Sequence, residues 1–130
     1  MVSVNFKAIT SEKYLQYFLS DNEHSIEDAT MTDFLNDMIS VSEQMDMQIS
    51  PIEIAKEVMS RLCLDGVLLD NIELISKSDL LENLNVLEVF AFLWLVSCRN
   101  TIAYEEAIYL SMANNKTIGN LLKRLSVLCK

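Results

Sequence analysis

The run VLEVFAFLWLVSC, Val86 to Cys98, is apolar on nearly every side and is interrupted by the charge of Glu88. A helix that is hydrophobic all round must be surrounded by other elements, so this segment predicts the centre of a fold. Crossing a bilayer takes about 20 apolar residues, and the run is too short for that. A buried strand is the competing reading, because Val, Phe and Trp favour sheets. The length of the run and the helical patterns on both sides of it decide for a helix.

Those patterns recur along the whole chain. Thr10 and Ser11 open a first helix over Glu12 to Ser20, with Tyr14, Leu15, Phe18 and Leu19 as its apolar stripe. Ser25, with Asp28 three residues on, predicts the capped start of a longer helix. In it Met31, Phe34, Leu35, Met38, Val41 and Met45 share one face, with Asp33 and Asp37 on the other. Ser50-Pro51-Ile52-Glu53 is the sharpest local signal: serine at the N-cap, proline where no donor is needed, glutamate at the third position. The helix it starts carries Ile52, Ala55, Val58, Met59 and Leu62, and Gly66 is expected as the left-handed residue that ends it. A short helix is predicted over Asp70 to Ile75, and another segment over Leu80 to Leu84 opened by Ser78 or Asp79. Asn85 with Glu88 marks the start of the apolar run. Thr101 caps a helix over Ile102 to Ala113. Thr117 starts the last one, with Ile118, Leu121, Leu122, Leu125 and Leu128 inward. The expected fold is all-α: a compact bundle of six to eight short helices around the buried central helix, about residues 86–98.

Composition agrees. At 130 residues the chain fits a single helical domain, residues 1–130, since domains most often run about 100–150 residues. Only Gly66, Gly119 and Pro51 punctuate it, whereas a β protein draws on many Gly- and Pro-rich turns. Cys63, Cys98 and Cys129 are widely spaced and make neither a disulfide framework nor a zinc site. Reduced thiols, no membrane span and no apolar leader between Met1 and Tyr17 together predict a cytoplasmic protein.

No cofactor, metal or catalytic group is expected. His24, the single histidine, lies in an acidic polar stretch rather than beside a nucleophile. Two isolated glycines cannot build a phosphate-cradling loop. The carboxylate pairs Asp33/Asp37 and Glu105/Glu106 are explained by solvation and by the helix dipole, and the chain is read as a non-enzyme. Trp94, Phe90, Phe92 and most of the seven methionines fall on apolar faces and are assigned to the core.

Charge is the informative feature. The net charge is -9, and between Lys13 and Lys56 there is no lysine or arginine at all. That interval holds Asp21, Glu23, Glu27, Asp28, Asp33, Asp37, Glu43, Asp46 and Glu53. Such a single-sign stretch repels nucleic acid and membrane headgroups and attracts basic proteins. All but Glu53 are candidate partner-binding residues, acting as hydrogen-bond acceptors and steering charges for partner arginines and lysines.

In size, charge and lack of active-site motifs, the chain resembles small acidic immunity proteins. That resemblance implies an antitoxin or immunity protein that occludes the basic cleft of a nuclease-type toxin. Two other readings compete. Residues 105–128 loosely resemble a helix–turn–helix regulator, with Asn114-Asn115-Lys116 as the turn and Thr117, Asn120 and Lys123 facing DNA. An adaptor or secretion chaperone would instead hold an apolar segment in a methionine-lined groove.

Overall fold

A computed structural model describes residues 4–20, 29–45, 50–97 and 115–129. Within them the chain is all-helical and without strands. The α-helices are α1 (Glu12–Leu19), α2 (Ala29–Gln44), α3 (Pro51–Arg61), α4 (Leu68–Ser76), α5 (Val86–Ser97) and α6 (Asn115–Leu128). Two 3-10 turns, Phe6–Ala8 and Asp79–Asn83, complete the described architecture. The expected Ser25 cap and the Ile102–Ala113 helix lie outside the described residues.

The apolar run is the centre it was expected to be. Every residue of α5 from Glu88 to Val96 is buried. α3 packs on one side of α5 and α6 on another, while α6 also packs against α1, and α1 against α2. The stripe of α2 faces inward, with Phe34, Met38 and Val41 fully buried and Met31, Leu35 and Met45 partly covered. Aromatic edges join the layers: Phe18 to Phe34 at 4.7 Å, Tyr14 to Phe34 at 5.2 Å and Phe6 to Phe90 at 6.0 Å between centroids. Such edge-to-face pairs contribute roughly 0.5–1.5 kcal/mol each beyond burial.

Local capping follows the sequence. The Ser50 hydroxyl accepts the Glu53 N–H at 3.3 Å, with Pro51 at the first helical position. Ser78 accepts the Leu80 N–H at 3.3 Å and opens the second 3-10 turn. At the head of α5, Asn85 Oδ1 accepts the Glu88 N–H and Glu88 Oε1 accepts the Asn85 N–H, each at 2.9 Å. Both orphan donors of that helix start are thus satisfied reciprocally.

The end of α3 differs from expectation. The left-handed residue that closes it is Cys63 (φ 57), not Gly66. The Cys63 N–H donates to the Ser60 carbonyl at 3.1 Å and the Leu64 N–H reaches back to Met59 at 2.8 Å. This crossed pair is the Schellman closure, which glycine usually supplies. Gly66, also left-handed (φ 102), serves the turn into α4 instead. Leu64 explains the shift: it packs against the core, so the chain must reverse before it and not after. A side chain held left-handed costs about 1–2 kcal/mol. Cys63 is exposed, so a glycine there keeps the backbone closure and gives up little side-chain packing. Cys63→Gly is therefore expected to stabilise the fold by about 0.5–1 kcal/mol, part of the relief being lost to a freer unfolded chain. Urea denaturation midpoints of the two proteins check this; a lower midpoint in the glycine variant contradicts it.

Candidate functional site

Of the candidate partner-binding residues, Asp33, Asp37 and Glu43 are described, and all three stand on α2. Asp21, Glu23, Glu27, Asp28 and Asp46 lie outside the described residues, as does His24. The periodicity of α2 decides what its carboxylates meet. Its apolar face is held by Phe34, Met38 and Val41, which leaves Asp33 and Asp37, one turn apart, at the edge shared with α1.

There α1 supplies two partners. Lys13 Nζ lies 3.3 Å from Asp33 Oδ2, with both side chains more than half exposed. The same ammonium sits 5.4 Å from the centroid of the Tyr14 ring. The Tyr14 hydroxyl donates to Asp37 Oδ2 at 2.5 Å. Tyr14 itself is buried against Phe34. Burial first, then the hydrogen bond to Asp37, push the phenol well above its ordinary pKa.

The two aspartates therefore have different status. Asp37 is half-buried and helps to fix α1 on α2. Among the described residues Asp33 is engaged by an exposed lysine, a pairing worth about 0–1 kcal/mol, and an incoming guanidinium can take its place. Glu43, a few turns along α2, is exposed. Glu53 and Glu57 of α3 are exposed as well. The cation bordering the acidic interval folds back onto its edge, which sequence spacing alone did not indicate.

A second electrostatic feature was not legible as a pair. Glu88, the interruption in the apolar run, is buried at the head of α5 and receives the Arg61 guanidinium with both oxygens. Nη1 is at 2.7 Å from Oε2 and Nη2 at 3.2 Å from Oε1. Arg61 Nη2 also donates to the Asn83 carbonyl at 3.3 Å. Burial pushes the Glu88 carboxyl up, but the Arg61 hydrogen bonds and the Asn85 N–H outweigh it and hold the pKa below its usual range. The charge within the apolar run was the signal that some partner exists. Its identity, 27 positions back, was not encoded locally.

The competing helix–turn–helix reading of residues 105–128 loses the turn it requires over its described part. Asn115 and Lys116, read as a turn, belong to α6. Thr117, read as facing DNA, is fully buried. Lys123 is exposed, as that reading requires, and Asn120 is partly covered. The methionine groove of the chaperone reading is likewise not formed by the described methionines: Met38 and Met59 are buried, and Met31 and Met45 pack against the core. Glu105 and Glu106 lie outside the described residues.

Among the described residues no group of three or more His, Cys, Asp or Glu side chains is arranged to hold a metal ion. No described helix is long and apolar enough to cross a membrane. Comparison with known proteins yields no match to a family model, a curated protein or a solved structure.

Proposed function

We propose that this chain acts as a cytoplasmic binding protein that docks the carboxylates of its acidic interval, residues 14–55, against a basic protein. An antitoxin or immunity role toward a nuclease-type toxin is the reading that fits best. The observation that carries it is the interval from Lys13 to Lys56, in which nine carboxylates occur without a single lysine or arginine. A potential of one sign over that length speeds encounter with a cationic surface. A nuclease offers such a surface, because its cleft must accept phosphates. Carboxylates at Asp33 and Glu43 can stand where phosphates would lie and accept charge-assisted hydrogen bonds. Asp33 is available because its lysine contact is solvent-exposed and weak.

The test begins with copurification of the full chain from its native cell and identification of the bound protein. A strongly basic protein in a one-to-one complex is expected. Association kinetics with that protein then discriminate the mechanism. Asp33→Lys combined with Glu43→Lys is expected to slow association by about tenfold or more and to flatten its salt dependence. Asp65→Lys combined with Asp70→Lys, both exposed but outside the interval, matches the change in net charge and is expected to change the rate much less. Asp37 is left intact, since its contact with Tyr14 supports the fold. An association rate indifferent to the double reversal reduces the acidic surface to a solvated face.

A further inference from the structure

A groove of about 250 Å3 lies between the end of α4, the 79–83 turn and α6, on elements separate from the acidic surface. Its walls differ in kind. α6 contributes Lys123 and Arg124, the 79–83 turn contributes Asp79 and Glu82, and Leu81 and Val127 supply aliphatic surface. Val127 is half exposed.

Arg124 carries the strongest indication. Its Nη2 donates to the Glu82 carbonyl at 3.3 Å, but its Nε–H is buried with no acceptor among the described residues. A buried donor without a partner costs free energy and calls for an explanation, an absent ligand or water among them. That nitrogen is covered in this structure, so the Arg124 side chain must change rotamer before its Nε–H can meet a carboxylate in the groove. Lys123, the neighbouring exposed cation, can join it. A polyanion such as phosphate is disfavoured, because Asp79 and Glu82 stand on the same groove. Those carboxylates instead match an ammonium.

We propose that this groove binds a small zwitterion with an aliphatic portion, of the class of the aliphatic α-amino acids. The carboxylate lies on Lys123 and Arg124, the ammonium on Asp79 and Glu82, and the side chain on Leu81 and Val127. The volume is below the roughly 300–1,000 Å3 of drug-sized sites, in keeping with a ligand of that size. The proposal does not depend on the acidic surface or on its partner.

Titrating the full chain with L-leucine and following backbone amide resonances tests it. Saturable shifts confined to residues 76–82 and 120–127 are expected, with a dissociation constant on the order of 1 mM or tighter. Lys123→Ala and Asp79→Asn, both at exposed positions, should each weaken binding about tenfold while leaving the rest of the spectrum in place. 4-Methylpentanoate and isoamylamine, which keep one charge each, should bind at least tenfold more weakly. The proposal is overturned by an absence of saturable shifts in this groove. It is equally overturned if the single-charge analogues or inorganic phosphate bind as well as leucine, or if neither variant weakens binding.

Discussion

Removing the guanidinium by Arg61→Ala is expected to destabilise the protein by about 2–4 kcal/mol, because it strands the buried Glu88 carboxylate. Half of the pair is wet: the Arg61 side chain is 44% exposed and that of Glu88 10%. The expected cost therefore sits toward or below the low end of what breaking a fully buried pair produces. Most of it is the desolvation of a charge left alone rather than the intrinsic worth of the bridge. A second substitution separates the two. Glu88→Gln in the Arg61→Ala background removes the stranded charge but keeps an acceptor for the Asn85 N–H, and is expected to recover a large part of the loss. A double variant no more stable than Arg61→Ala contradicts this account. Denaturant unfolding with an unchanged m value is the measurement.

The same pair sets the sign of one pH effect. Glu88 is held below the ordinary carboxylate range in the folded chain. Its contribution is therefore fully present above the unfolded-state pKa and is lost as pH falls through the folded one. In Arg61→Ala the guanidinium no longer opposes burial, so this component of the acid dependence should flatten or reverse. Comparing the stability of the two proteins between neutral and mildly acidic pH shows whether it does.

Gly119 is the second site where a small change should have a large effect. Helix propensity alone credits alanine over glycine with about 1 kcal/mol inside a helix such as α6. The packing says the opposite. A Cβ at Gly119 would meet Leu19 Cδ2 at 2.7 Å and the Phe18 backbone carbonyl carbon at 3.0 Å. The leucine tip can rotate away, but the backbone of α1 cannot do so without separating the helices. Gly119→Ala is expected to cost about 1–3 kcal/mol net, and Gly119→Val more, with α1 loosened from α6. Leu19→Ala should rescue the alanine variant only in part, since it relieves the first contact and not the second; a double-mutant cycle measures that coupling. A more stable Gly119→Ala protein would show that propensity, not close approach, governs this position.

Local signals were readable wherever cause and effect lie within a helical turn. Ser50 with Glu53, Ser78 with Leu80, and Asn85 with Glu88 each close a hydrogen bond two or three positions away. The apolar spacing of α2 and α6 likewise located the faces that pack inward. Legibility failed at Cys63. Residue preference pointed to Gly66, whereas the need to return Leu64 to the core reversed the chain three residues earlier. It failed again at Asp33 and Asp37. Both were expected as free outward acceptors, yet one meets Lys13 and the other Tyr14, at separations of 20 and 23 residues.

What the sequence determined by itself was the helical class, the buried centre at Glu88–Val96, most described helix starts and the lopsided charge. All of these follow from periodicity, capping and composition, which act over a few residues. Only the tertiary structure decided which charges are engaged. It brought Arg61 onto Glu88 and Lys13 onto Asp33, let α6 approach α1 at Gly119, and opened a groove between α4 and α6. The reason is that a charge or a glycine acquires its partner from the way helices pack in space, and neighbouring positions in the chain carry no record of that packing.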